Sequence, residues 1–66
     1  MTPRQRDVLL YVGKFFEERG YSPSQSEIAR HLGVKQQSAS DLVARLVRQG
    51  ALRRVDSGWR NIEVAR

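Results

Sequence analysis

The feature that most constrains this chain is Gly33, set between two amphipathic stretches. Upstream, Ser24 and Glu27 have the Ser-x-x-Glu spacing of a capping box, in which each side chain satisfies the other residue's backbone N–H and a helix begins. A short helix is predicted over about 25–32, with Ile28, Ala29 and Leu32 facing inward. Gly33 supplies the left-handed turn that ends it, and Val34 plugs that turn. Downstream, Ala39, Leu42, Val43, Leu46 and Val47 recur at helical spacing, so a further helix runs over about 36–49 and stops at Gly50. Ala29 and Ala39 are small where two such helices must approach closely. Helix, glycine-containing turn and amphipathic helix together make a helix-turn-helix.

The flanks extend this pattern. Thr2, Pro3 and Gln5 form a cap, a first-turn proline and a capping-box partner, so a first helix runs to about Arg19 with Gly20 as its stop. Val8, Leu9, Tyr11, Val12, Phe15 and Phe16 share its broad apolar face, and Arg6, Asp7, Lys14 and Glu17 lie opposite. Residues 21–24 read as a turn. After Gly50 the period changes. Residues 52–55 and 59–64 read as short strands, joined by the turn residues Asp56, Ser57 and Gly58. The expected fold is mainly α with a small β-hairpin: a winged helix-turn-helix of three helices plus a two-stranded wing, filling residues 1–66 as one domain.

The chain is 66 residues long, with no cysteine and a single histidine, His31. Neither a disulfide nor a thiolate-bound zinc is available as a staple, so well-formed local structure must supply the stability. No cofactor or metal site is expected. No Ser-His-Asp or Cys-His set and no glycine-rich phosphate loop is present, so no enzyme activity is expected either. His31 falls at the end of the second helix, where the dipole favours it. No apolar run approaches the roughly 18 residues that span a bilayer, and the N-terminus lacks the pattern of a secretory signal, so a cytoplasmic location is expected.

Charge is the first pointer to a partner. The chain carries twelve Lys and Arg against seven Asp and Glu, a net +5. Residues 1–34 contribute +1, and residues 35–66 contribute +4 through Lys35, Arg45, Arg48, Arg53, Arg54, Arg60 and Arg66 against Asp41, Asp56 and Glu63. A basic excess concentrated in the last helix and hairpin suits a polyanion, above all nucleic acid.

Three segments carry a family resemblance. Thr-Pro-Arg-Gln-Arg-Asp-Val-Leu at 2–9, Gly-Tyr-Ser-Pro-Ser at 20–24 and Glu-Ile-Ala-Arg-His-Leu-Gly-Val at 27–34 resemble the DNA-binding domain of LexA-type bacterial repressors. The resemblance extends to the hairpin ending Trp59-Arg60-Asn61-Ile62-Glu63-Val64. It implies a winged helix-turn-helix that binds DNA in a bacterial or phage setting. Two departures stand out. Between Gly33 and Gly50 the spacing is one residue shorter than that family's usual pattern and fits MarR-like winged helices, so the family's operator is not carried over. LexA-type repressors also have a second domain for dimerisation and Ser-Lys self-cleavage. The 66 residues hold no counterpart of it, so the resemblance lends no support to self-cleavage.

A recognition helix places its polar face, mainly its N-terminal end, in the major groove. That face is expected to hold Gln37, Ser38, Ser40, Asp41, Ala44, Arg45 and Arg48. Gln37 is the best base reader, because a carboxamide pairs bidentately with adenine. Ser38 and Ser40 are short, versatile donors. Gln36 lies nearer the buried side and suits the DNA backbone. Ala44 lets the groove approach and offers a methyl to thymine. Asp41 either accepts from cytosine or pairs with Arg45 one turn on; the pair is the favoured reading. Arg45, Arg48, Arg53, Arg54 and Arg60 form the electrostatic set, with Lys35 in the turn. Trp59, beside Arg60 near the wing turn, either stacks on DNA or covers the core.

The leading function is sequence-specific binding of double-stranded DNA by a transcriptional regulator, in the first instance a repressor. One recognition helix grips weakly, so a homodimer is expected, formed either through a small patch of its own or only on DNA. The competing function is a small winged-helix protein-interaction module, for example a phage-encoded inhibitor of a host machine. Asp41 and Leu10 keep this second reading alive, since Leu10 falls on the polar face of the first helix as a partner-binding spot or a lone exposed leucine.

Overall fold

Three helices and a hairpin follow one another in a computed structural model that describes residues 2–54 and 62–65. Helix α1 spans Pro3–Arg19, α2 Gln25–Leu32 and α3 Gln36–Arg48. Strands β1, Leu52–Arg54, and β2, Ile62–Val64, pair antiparallel in the register Leu52 with Val64, Arg53 with Glu63 and Arg54 with Ile62. This is the winged helix-turn-helix order expected from the sequence. The strand ends proposed at Val55 and at Trp59, Arg60 and Asn61, and the turn at 56–58, lie outside the described residues.

The helix starts are set by paired side-chain and backbone bonds. Thr2 Oγ1 accepts from the Gln5 N–H at 3.1 Å, and the Thr2 N–H donates to Gln5 Oε1 at 3.2 Å. Ser24 and Glu27 repeat the device at α2, at 3.2 and 2.8 Å. Such caps contribute about 1 kcal/mol each. Gly33 ends α2 at φ +72°, with its own N–H on the Arg30 carbonyl and that of Val34 on the Ala29 carbonyl. Gly50 repeats this at φ +82°, with the Ala51 N–H on the Leu46 carbonyl. Both are double-bonded helix stops that need a left-handed residue, which a β-carbon disfavours. Helix α3 accordingly closes at Arg48, with Gln49 as its cap rather than its last turn.

Every element feeds one core. Val8 and Val12 of α1, Ile28 and Ala29 of α2, Ala39, Val43 and Leu46 of α3, Leu52 of β1 and Ile62 of β2 are buried together. Ala39 retains no exposed surface. Its single methyl is what lets α3 seat against α2. Leu32, Val34, Leu42 and Val47 pack around this cluster half-buried.

Two local expectations change. Phe16, assigned to the inner face of α1, is 45% exposed. The buried stripe of α1 is narrow, Gln5, Val8, Val12 and Phe15, and Phe16 falls on its flank beside the hairpin. The segment 21–24 is more than a surface turn, because Ser22, Pro23 and Ser24 are buried.

A second seam joins α1 to α2. The His31 ring stacks on Tyr11 with centroids 4.1 Å apart and planes 10° from parallel, and His31 Nε2 lies 3.2 Å from Asp7 Oδ1. Tyr11 and Phe15 continue the aromatic run toward Tyr21, with Arg19 over the Phe15 ring at 4.7 Å.

Gly13 is the weak point of α1. A β-carbon there would meet only Val64 Cγ2, at an ordinary 3.9 Å. Glycine inside a helix costs roughly 0.5–1 kcal/mol against alanine. Gly13→Ala is therefore expected to raise stability by about that amount and the melting midpoint by several degrees; an unchanged or lowered midpoint in thermal unfolding would contradict this account of α1.

Candidate nucleic-acid interface

The two helices of the helix-turn-helix begin differently. Thr2 and Ser24 cap α1 and α2 with side-chain oxygens, but α3 begins at Lys35, which makes no side-chain capping bond. No acidic residue occupies its first turn. The first intrahelical bond at this end is the Ala39 N–H on the Lys35 carbonyl at 3.1 Å. The N–H groups of Gln36, Gln37 and Ser38 therefore point out of a helix start whose N-cap residue is an exposed lysine. Unpaired N–H groups, the positive end of the helix dipole and a cation together favour an anion such as phosphate.

The polar face of α3 runs back from this end. Gln37, Ser38, Asp41, Arg45 and Arg48 are exposed, and Ser40 and Ala44 are half-buried. At 1.5 Å per residue, Gln37 to Arg48 spans about 16 Å, enough to cross a major groove about 12 Å wide. Ala39, Val43 and Leu46 hold the opposite face in the core, so the exposed stripe has a fixed direction.

Three sequence assignments are refined by the geometry. Gln36 is exposed rather than turned to the buried side, and its Oε1 accepts from Ser26 Oγ at 2.9 Å. Ser40 does not offer a free donor, because its hydroxyl donates to Gln25 Oε1. The favoured Asp41–Arg45 pair is absent among the described residues. An exposed pair one turn apart contributes only about 0.2–0.5 kcal/mol, too little to order two solvated side chains.

The hairpin divides its charges. Arg53 Nε donates to Glu63 Oε1 at 2.6 Å, and its terminal nitrogen contacts the same oxygen. Arg53 also lines a recess of about 470 Å³ with Gly13, Phe16 and Glu17 of α1, so its charge is partly answered within the protein. Arg54 is exposed, opposite Ile62. Trp59 and Arg60 lie outside the described residues.

Gln25 and Ser26 were not singled out from the sequence. The signal was present: the Ser24 capping box fixes both in the first turn of α2, within reach of the first turns of α3 across the Gly33 turn.

Comparison with known proteins agrees with this architecture. The family described as LexA DNA binding domain matches residues 1–61. The LexA repressor of Pseudomonas chlororaphis is 34% identical over 65 residues, covering 97% of this chain and 32% of that protein. The LexA repressor of Ectopseudomonas mendocina shows the same identity and coverage, and LexA repressor 1 of Pseudomonas putida is 32% identical over the same span. The chain thus spans about a third of the length of these relatives. With a helix-turn-helix, a paired hairpin and a family match over nearly all its residues, the chain belongs to the LexA DNA-binding domain family.

Proposed function

We propose that this chain binds double-stranded DNA sequence-specifically and acts as a transcriptional repressor, with α3 in the major groove and the wing on backbone or minor groove. The observation that carries the reading is the start of α3. It is uncapped, flanked by Lys35 and followed by an exposed polar stripe, while the other two helices are closed by their own side chains. The term repressor comes from the names of the relatives.

Within this reading Gln37 and Ser38 meet base edges, and Ala44 faces a thymine methyl. Lys35, Arg45, Arg48 and Arg54 neutralise phosphates, with Trp59 and Arg60 on the wing. Gln36 and Ser40 serve through the partners that hold them. Asp41, freed of Arg45, accepts from cytosine N4 and excludes bases that present only acceptors there. Arg53 contributes less than its formal charge because Glu63 shares it. Two copies on adjacent half-sites supply the affinity one recognition helix lacks, and the site of action is the bacterial cytoplasm.

A second reading keeps one observation of its own. Leu10 is 66% exposed and borders a shallow recess with Pro3, Arg6 and Asp7 on the outer side of α1. That surface suits a protein partner. Absence of duplex binding by the wild-type chain at low salt would favour it.

Selection from a random duplex pool tests the leading reading: enrichment of a defined sequence is the expected result. Against that sequence, Gln37→Ala is expected to relax preference at one position by about 1–3 kcal/mol, while Arg45→Ala weakens all duplexes alike and lowers the salt slope by about one. Lys35→Ser sets stability against binding. A serine cap should stabilise α3 by about 1 kcal/mol, and the lost cation should weaken DNA binding and reduce the salt slope by about 0.9. Thermal unfolding and titration at two salt concentrations measure both effects, and a parallel change in the two would refute the assignment of Lys35.

A further inference from the structure

Two hydrogen bonds cross between the starts of α2 and α3, outside any cap or core contact. Ser26 Oγ donates to Gln36 Oε1 at 2.9 Å, and Ser40 Oγ donates to Gln25 Oε1. A serine of each helix holds a glutamine of the other. Both bonds engage the carboxamide oxygen, so each glutamine keeps its amide nitrogen, with two N–H donors, for another partner. A free glutamine offers donor and acceptor and exchanges them by turning over. One held by its oxygen is fixed in orientation with both amide N–H groups left to donate, and such donors match a group that only accepts, such as a phosphate oxygen.

Gln25 has the better position for that contact. It is the first residue of α2, half-buried against α3. In a helix-turn-helix the first helix crosses the DNA backbone while the second lies in the groove. The capping-box carboxylate of Glu27 is engaged by the Ser24 N–H at 2.8 Å, which ties the acidic side chain of the first turn of α2 back to its cap.

We propose that Gln25 is a DNA-contacting residue that donates its amide N–H to a backbone phosphate beside the groove entered by α3, and that Ser40 is the positioning residue that orients it. This rests on the reading of α3 as the groove helix. It gives Ser40 a different task from the base contact its place on the polar face suggests: Ser40 couples the seating of α2 on the backbone to the seating of α3 in the groove. The Ser26–Gln36 bond braces the joint from the other side. Because Gln25 is neutral, its contact adds affinity without counterion release, unlike Lys35 or Arg45.

The test uses Gln25→Met, nearly isosteric but without donors, and Gln25→Glu, which keeps an oxygen for Ser40 and replaces the amide nitrogen with an anionic acceptor. Binding is titrated on the duplex enriched from the random pool and on a random duplex, at two salt concentrations, with thermal unfolding alongside. Expected for Gln25→Glu is a melting midpoint no lower than wild type, since a carboxylate suits a helix start, with a loss of about tenfold or more on both duplexes. Gln25→Met should lose several-fold on both with the salt slope unchanged, and Ser40→Ala should lose less than either. Wild-type affinity in both Gln25 variants, or a loss confined to the enriched duplex, would overturn the role of Gln25 while leaving α3 in the groove. Failure of the wild-type chain to bind any duplex at low salt would overturn the reading beneath it as well.

Discussion

The contact on which the rest depends is the seat of α3 on α2 through Ala39 and Ala29. Ala39 has no exposed surface and Ala29 only 5%. A methyl at each point sets how near the two helix axes come, and Gly33 closes the turn so that α3 starts in the right direction. Val43 and Leu46 then reach the core, and Gln37, Asp41, Arg45 and Arg48 must face away from it. A larger side chain at 39 would do more than overfill the core. It would pry the helices apart and tilt the polar stripe, so the same few ångströms govern stability and recognition.

The three helix starts show how stability and function are divided. Two are sealed by reciprocal side-chain bonds; the third carries a lysine where a serine or aspartate would stabilise the helix. With neither a side-chain cap nor an acidic residue in its first turn, the start of α3 retains its uncompensated N–H groups and its positive field. The hairpin makes the opposite choice at Arg53, where Glu63 absorbs part of a charge that the composition would count in full.

Much of this was legible in the residues. Ser24 with Glu27, Thr2 with Gln5, and Gly33 are local signals whose partners lie within a turn, and each folds as its spacing implies. Helical periodicity also placed Ala39, Val43 and Leu46 in the core. Phe16 was misplaced because a helical wheel cannot show where a neighbouring hairpin stops covering a face. The bonds that hold Gln36 and Ser40 are not legible in the sequence because their partners, Ser26 and Gln25, sit ten and fifteen residues away on another helix. The spacing of Asp41 and Arg45 suits a pair, but no ion pair joins them among the described residues. The family assignment came from motifs outside α3. The direct sequence evidence on DNA recognition lies within α3, where side chains are exposed and no core requirement selects them.

The hairpin root has a mechanical meaning. Leu52 and Ile62 lie in the same core as Leu46, and the Ala65 N–H bonds to the Ala51 carbonyl at 3.0 Å, so both strands are clamped where they leave the helices. The root of the hairpin and α3 are therefore held at a fixed spacing by one core. Under the proposed function, a duplex must fit α3 and the hairpin root at once, and one that does not match that spacing must bend. On that reading, discrimination includes the stiffness of the DNA, a quantity that no side chain reads by touch.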